Sequence, residues 1–481
     1  MMKFLFINLF IIATSLTVVS CSKDKGQGGT IGNLSIEKPD LTPPKLPDLG
    51  NDLENKKEFN FSVAASDKIL GTFGELSSLH IVNGTLVAVE SIKGAEKEKV
   101  HFMSVGDERL LGLDVTVDDE LAKIPVNGSI YKTELDDLRV LRSNSGVYLE
   151  KSYSRSYTKK NGDDLKERGG LFYQISDKKL RFLSSLGNRS LGDGLHPINF
   201  LTFVGNDEIY GATVHMRRRT GGKGYDNKLN VFKCPQNDCS QLKLVEYETY
   251  SDVDWDSFGI NNVNFDDDHL FIVGIARKEG EENLAIIKLN EFLDEEFDMV
   301  TDSSKSGVDD NIDVFRIPLY SVRNAADSYF SNSFEHILLK GYGTDYKPSL
   351  ISVDVSENTG ESTVSKNLEK NLADIKDVHS ISHIGQNYLF LYSTKANPEK
   401  RFISLVNHKN GNIIKVNGKE NFDTGADVPY EAGPFTTRPG ATRSSKEAQG
   451  QSLMHFKDGK IYLYTFSYGN RKLSEKVIEA R

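Results

Sequence analysis

The sequence predicts an all-β protein over residues 58–481, and three observations predict it. From Glu58 onward apolar residues recur with period two, as in Phe59-Asn60-Phe61-Ser62-Val63. Most later segments are short β-branched or aromatic runs closed by Gly, Asn or Asp, the punctuation of strands and tight turns. Long helical periodicity is nearly absent, and the two best helical stretches, Leu289 to Phe297 and Leu368 to Ile375, are short.

The N-terminus follows a different rule. After Lys3 comes an apolar run from Phe4 to Val19, too short for a comfortable membrane span and the right length for the core of an export signal. It closes on Val18-Val19-Ser20-Cys21. This ending resembles the lipobox of bacterial lipoproteins, which implies that residues 1–20 are a signal peptide and that Cys21 is lipidated and becomes the new N-terminus. An uncleaved anchor and an ordinary cleaved signal are the competing readings. Acyl chains contribute about 0.8 kcal/mol per buried methylene, so the lipid anchor makes the membrane the first partner. By the same resemblance, Ser22, where an inner-membrane lipoprotein of the enterobacterial pattern carries Asp, implies the outer membrane. The periplasmic or surface face is left open.

Residues 21–57 read as the lipidated cysteine and a flexible tether. Gly26, Gly28, Gly29 and Gly32 come first, then Pro39, Pro43, Pro44 and Pro47. Such a segment reaches about 30 Å as a coil and up to about 110 Å fully extended. The folded domain then occupies residues 58–481. No later stretch offers a run of apolar residues long enough to span a bilayer.

The formal net charge is -10. An acidic chain of this kind argues against nucleic acid and against anionic lipid held by a general basic field. Apart from Cys21 there are two cysteines, Cys234 and Cys239, in Cys-Pro-Gln-Asn-Asp-Cys. In an oxidising envelope compartment they are expected to form a small disulfide across a turn. Half a zinc site is the alternative, and it lacks a second cysteine pair.

One phrase recurs along the chain: an apolar pair, a polar turn, then an aromatic or aliphatic strand. Clear copies are Ile81 to Val87, Phe203 to Tyr210, Asn264 to Phe271, His383 to Phe390 and His455 to Tyr462, with looser ones at Leu141 to Tyr148 and Phe334 to Leu338. Leu86, Val147, Ile209, Leu270, Ile337, Leu389 and Ile461 mark seven units. A hairpin of this kind cannot bury both faces alone and must stack on its neighbours. The domain therefore resembles a seven-bladed β-propeller. The last unit offers three strands, Ser452 to Lys457, Lys460 to Tyr468 and Leu473 to Ala480, and the strand Phe59 to Ala65 is expected to supply the fourth and shut the ring. A pair of β-sandwiches and an eight-bladed ring are the alternatives. Outer-membrane propeller lipoproteins include one that assists assembly of barrel proteins, but that family carries a tryptophan in each repeat, whereas Trp255 is the single tryptophan here.

Several constellations are candidates for chemistry. Ser77 to His80, Ser380 to His383 and Ser452 to His455 share the spacing Ser-x-x-His. In a closed ring their units are neighbours, so His80, His383 and His455 form a candidate axial site for a metal or anion, set against a plain role in hydrogen bonding between strands. His379 and His383 lie about 13 Å apart on a strand and do not share an ion. Asp252, Asp254 and Asp256 resemble a calcium loop, but Ser257 and Val263 stand where that loop needs Gly and an acid; a solvated acidic turn is the competing reading. Arg217, Arg218, Arg219 and Lys223, with Lys228, surround Gly221-Gly222 and form a candidate partner-binding loop, or a long mobile hairpin loop. A second basic insertion runs from Gly433 to Gln451.

No cofactor is predicted; calcium or a transition metal enters only through the weak sites above. The sequence lacks a Gly-x-Ser-x-Gly elbow, His-Glu-x-x-His, a phosphate-binding Gly-x-x-x-x-Gly-Lys and a dinucleotide fingerprint. The expectation is a non-enzymatic scaffold that binds an envelope protein or a glycan. A propeller hydrolase or lyase with an axial histidine site, and a surface adhesion protein, are the alternatives.

Overall fold

A computed structural model of the chain describes residues 58–64, 67–74, 76–92, 97–143, 145–187, 200–218, 225–247, 257–265, 269–278, 281–290, 312–318, 324–330, 336–342, 348–354, 374–385, 387–428 and 450–481. The lipobox, Cys21 and the tether lie outside them, as do Asp252, Asp254, Asp256 and most of the insertion from Gly433 to Gln451. All described residues belong to one compact unit, Leu49–Arg481.

This unit is nearly all β. Its strands follow one another as antiparallel meanders. The first is Leu76–Val82, Thr85–Ile92, Lys97–Ser104 and Leu111–Val115. The second is Ser129–Ser143, Val147–Thr158, Asp164–Ser176 and Lys179–Gly187. The third, Leu201–Val204, Glu208–Arg218, Tyr225–Pro235 and Lys243–Tyr247, joins the second through the parallel pairs Phe203 to Arg142 and Val204 to Ser143. A fourth runs Ser257–Phe265, His269–Lys278, Glu281–Asn290 and Ile312–Pro318. The fifth has Asn324–Phe330, His336–Tyr342 and Pro348–Asp354 among its described strands.

The sixth meander is Ile375–Ile384, Asn387–Thr394 and Lys400–Val406, with its next position shared by Ile413–Val416 and Phe422–Asp427, both paired to Lys400–Val406. The seventh is Gln451–Lys457, Lys460–Ser467 and Lys472–Ala480. Its fourth position is taken by the start of the chain, with Phe61–Val63 and Lys68–Thr72 both antiparallel to Lys472–Ala480.

The turns explain why the recurring phrase falls where it does. Copies within the described residues lie at the hairpin between the first two strands of a meander, as at Val82 to Thr85, Val204 to Glu208 and Lys457 to Lys460. Asn83 and Gly84 have φ of 48° and 68°, and Asp458 and Gly459 have 51° and 72°. Two successive left-handed residues make the turn whose twist matches that of paired strands, and Asn-Gly and Asp-Gly are the sequences that adopt it.

The meanders stack face to face through apolar side chains. Val87, Val89 and Val100 of the first pack with Leu149, Tyr153 and Leu171 of the second. Phe172 and Leu186 of the second pack with Ile209 and Phe232 of the third. Leu79 and Met103 of the first pack with Tyr464 and Phe466 of the seventh. Between the sixth and seventh lie Leu389, Leu391, Leu405, Leu463 and Ile478, together with Phe59 and Phe61 from the start of the chain. A buried side chain of this size contributes roughly 1.5–3 kcal/mol.

Of the two helical stretches, Leu289 and Asn290 end a strand and Ile375 opens one; the rest of each, apart from the turn residue Asp374, lies outside the described residues. Among the described residues an α-helix lies at Asp118–Lys123, between the first and second meanders, where six residues are too few for periodicity to register. The first strand also does more than expected. Before Phe61–Val63 reaches the seventh meander, Glu58 and Phe59 pair in parallel with Lys415 and Val416 of the sixth.

Candidate functional site

The three Ser-x-x-His serines act between strands. Ser77 Oγ donates to Val89 O at 3.1 Å, Ser380 Oγ accepts from Met454 N at 3.2 Å, and Ser452 Oγ accepts from Arg401 Nε at 2.9 Å. The last two tie the sixth meander to the seventh.

Of their histidines, His80 lies on Leu76–Val82 opposite Val87. His383 stacks obliquely on Tyr388, ring centroids 5.3 Å apart, and burial, with His408 nearby, lowers its pKa to about 4. The ring of His455 faces the turn of the first meander, where a Cβ built on Gly84 would meet Nε2 at 3.7 Å. Burial and the charge of Lys457 lower its pKa as well. Among the described residues, no group of three His, Cys, Asp or Glu side chains is placed to hold a metal ion. His80, His383 and His455 are each half-buried.

Sequence spacing missed a polar corner of the sixth meander. Two register shifts, between Ile375 and Asp377 and between Val378 and Ser380, bulge the first strand beside Ser393. His379 Nε2 lies 3.1 Å from Ser393 Oγ, and His379 Nδ1 lies 3.8 Å from Asp377 Oδ2. The order of groups is that of a hydrolase relay, but Ser393 is fully buried. Arg401, also fully buried, donates through Nη1 to the carbonyls of Pro398, Glu399 and Lys400 at 3.1–3.3 Å. Burial lowers its pKa to about 10, against the pull of Asp377 and Asp427, so it stays charged at neutral pH. This corner joins strands and reads as structure.

The second meander holds a larger set of buried charges. On strand Val147–Thr158, Lys151 reaches Glu98 of the first meander at 2.5 Å, and Glu98 also accepts from Leu138 N at 2.8 Å. Glu150 on the opposite face takes Arg139 at 2.6 Å and Thr202 of the third meander at 3.4 Å. Arg155 donates to Leu121 O and Ile124 O at the end of the short helix and lies 3.4 Å from Glu167. Both faces of this strand are covered by neighbouring sheets, and its charges find partners across the interfaces at Glu98 and Thr202 and within the meander at Arg139 and Glu167, while Arg155 Nε has none.

Beyond that network the meander projects. Ser129–Leu135 pairs with Tyr153–Thr158 on one side, and Ile130 and Tyr131 are exposed at 47% and 61%. Lys132 lies 2.5 Å from Glu134 and, with Lys166, holds the Glu134 carboxyl down to about 2. Nothing in the sequence marked this edge, because Ile-Tyr-Lys-Thr-Glu-Leu reads as one more short run with β-branched and aromatic residues.

Cys234 and Cys239 are joined by a disulfide with Cα atoms 4.9 Å apart, closing the turn after Tyr225–Pro235. Part of the basic segment is strand. Backbone pairing continues through Arg217 to Asp226 and Arg218 to Tyr225, leaving residues 219–224 as the connection. Arg219 and Lys223 lie outside the described residues, as does the side-chain placement of Arg217 and Arg218. No described helix is long and apolar enough to cross a membrane.

The fold defines the class as an all-β protein of stacked antiparallel meanders whose first strands join its last sheets. No known protein family matches the sequence, and no curated protein matches it. Among solved structures the chain is similar to the β-propeller domain of the Trilobed protease from Pyrococcus furiosus, with 9% identity, a TM-score of 0.39, and coverage of 84% of this chain and 97% of that one. It is also similar to a prolyl endopeptidase, with 10% identity and a TM-score of 0.39, over 86% of this chain and 51% of that one. TolB from Acinetobacter baumannii matches with 9% identity and a TM-score of 0.25, over 77% and 97% of the two chains. The chain thus spans about half the length of the prolyl endopeptidase. All three scores are low, and no activity follows from them.

Proposed function

We propose that the chain is a lipid-anchored protein of the bacterial envelope, held in the outer membrane through Cys21, whose domain is a seven-bladed β-propeller serving as a binding scaffold for a protein or glycan. The observation that carries this reading is the pairing of Phe61–Val63 with Lys472–Ala480 while Glu58–Phe59 pairs with the sixth meander. Both ends of the domain are thereby fixed into neighbouring sheets, the arrangement by which a ring of blades is shut. The tether, by sequence, enters at this strand. A rigid, closed body on a leash suits presentation of a surface to a partner, and the buried Ser393 favours binding over catalysis.

The test is a cross-linked pull-down of the full-length protein from its own envelope, with Cys21→Ala as control and incorporation of a palmitate analogue as the readout of lipidation. The expected result is label on the wild type alone, membrane release of Cys21→Ala, and one stoichiometric partner lost in the variant. Unlabelled wild type overturns the anchor, and the absence of any enriched partner overturns the scaffold.

A further inference from the structure

Strand Ser129–Ser143 runs 15 residues, whereas the strands that open the first and seventh meanders, Leu76–Val82 and Gln451–Lys457, have 7 each. Its far end is paired on both sides, with Leu141 opposite Tyr148 and Arg142 opposite Phe203. Its near end is paired on one side only. Among the described residues no strand lies along the outer edge of Ser129–Leu135. Residues Ser129 to Glu134 are all exposed, and Ile130 and Tyr131 are two of the four large hydrophobic side chains that stand in solvent among the described residues.

An open edge presents main-chain donors and acceptors that an extended chain satisfies by adding as a further strand. Register shifts between Ile130 and Lys132 and between Leu135 and Leu138 limit the regular run to Lys132–Leu135, enough for a short strand. The surroundings select its charge. Between residues 114 and 137 the sequence carries seven acidic residues and two lysines. Asp118 and Asp119 of the adjacent helix are exposed, and the helix end is fixed to this hairpin by Arg155. A second copy, itself at a net charge of -10, would bring the same sign to the edge.

We infer that the edge Ser129–Leu135 is a docking strand for an extended, basic segment of a partner protein, with Tyr131 as its apolar anchor. This rests on the scaffold reading and narrows its partner to a peptide main chain. Main-chain pairing along the edge supplies register, and the exposed ring supplies the contact most often responsible for affinity at interfaces.

The experiment uses the full chain carrying Cys21→Ala and two synthetic peptides, one alternating Lys and Val, the other alternating Glu and Val. Hydrogen exchange of the amides in 129–135 is expected to slow severalfold with the Lys-Val peptide and not with the Glu-Val peptide. Thr133→Pro, which removes a main-chain donor from this strand, abolishes the protection, and Tyr131→Ala, a surface change that leaves the fold intact, weakens binding roughly tenfold. Absent protection in 129–135, or equal protection by both peptides, overturns the inference. In the envelope pull-down, a partner retained by both Thr133→Pro and Tyr131→Ala overturns the docking edge while the scaffold stands. No partner on the wild type overturns the scaffold, whatever the peptides show.

Discussion

Lys151 Nζ lies 2.5 Å from Glu98 Oε2 with both side chains buried, one on the second meander and one on the first. The pair crosses a sheet interface otherwise lined by Val87, Val100, Leu149 and Leu171. Desolvation of two charges is offset here by their contact and by the Leu138 amide on the other carboxylate oxygen.

Removing one partner therefore costs more than removing both. Lys151→Met leaves a buried carboxylate uncompensated and is expected to destabilise the domain by about 3–5 kcal/mol, whereas Lys151→Met with Glu98→Leu recovers much of the loss. Urea midpoints of the two variants and the wild type check this. A double variant as unstable as Lys151→Met contradicts the account.

Asn417 is the clasp of the first strand. Its side chain accepts from Phe61 N at 2.8 Å and donates to Phe61 O at 2.7 Å, while Asn60 exchanges two backbone bonds of 2.9 Å with Arg481. Asn417→Ala is expected to cost about 1–3 kcal/mol, since it leaves two main-chain groups unsatisfied at a part-buried site. Phe61→Ala, which empties the core between the sixth and seventh meanders, is expected to cost about 3–5 kcal/mol. Limited proteolysis after either change should cut first near residues 58–64. Cleavage that starts elsewhere argues that the strand is not the weak point.

The legible and illegible parts of this chain divide by the range of the interactions involved. Alternation at Phe59 to Val63 and the turns at Asn83-Gly84 and Asp458-Gly459 are local, and each lies where the pattern places it. The strand Val147–Thr158 is the opposite case. Glu150, Lys151, Ser152, Ser154 and Arg155 read as a solvated stretch, yet all five are buried, because partners at Glu98, Leu121, Glu167 and Thr202 come from other strands and other meanders. The bulges that bring His379 to Ser393 leave no trace in spacing either, since a bulge is an extra residue relative to a partner strand. The same holds for the exposed edge at Ile130 and Tyr131, whose character depends on what is absent beside it among the described residues.

The disulfide spans five positions of sequence, so the loop it closes is short. Loop-closure entropy for so few residues is about 2 kcal/mol, well below that for a long loop. Cys234→Ser with Cys239→Ser is expected to lower stability by about that amount or less and to leave the strand content seen by circular dichroism unchanged. Loss of the folded state would mean that the turn at Pro235 to Gln241 carries more of the third meander than its size suggests.

Stability should fall in mild acid through His383. Burial lowers its folded pKa to about 4, whereas the unfolded chain takes up the proton near 6.5. Above 6.5 both states are neutral at this ring and it has no pH effect. Between 6.5 and about 4 the unfolded state binds up to one more proton than the folded state, so stability declines as pH falls through that window and levels once the folded ring titrates. His455, also lowered by burial, adds in the same direction. Carboxylates contribute to acid unfolding too, so the informative quantity is a difference. Urea midpoints of wild type and His383→Gln, measured from pH 7.5 to 4.5, should converge toward low pH as the wild type loses the advantage of its neutral ring. Parallel curves would mean that His383 is protonated in the folded protein or that its surroundings relax to accept the charge.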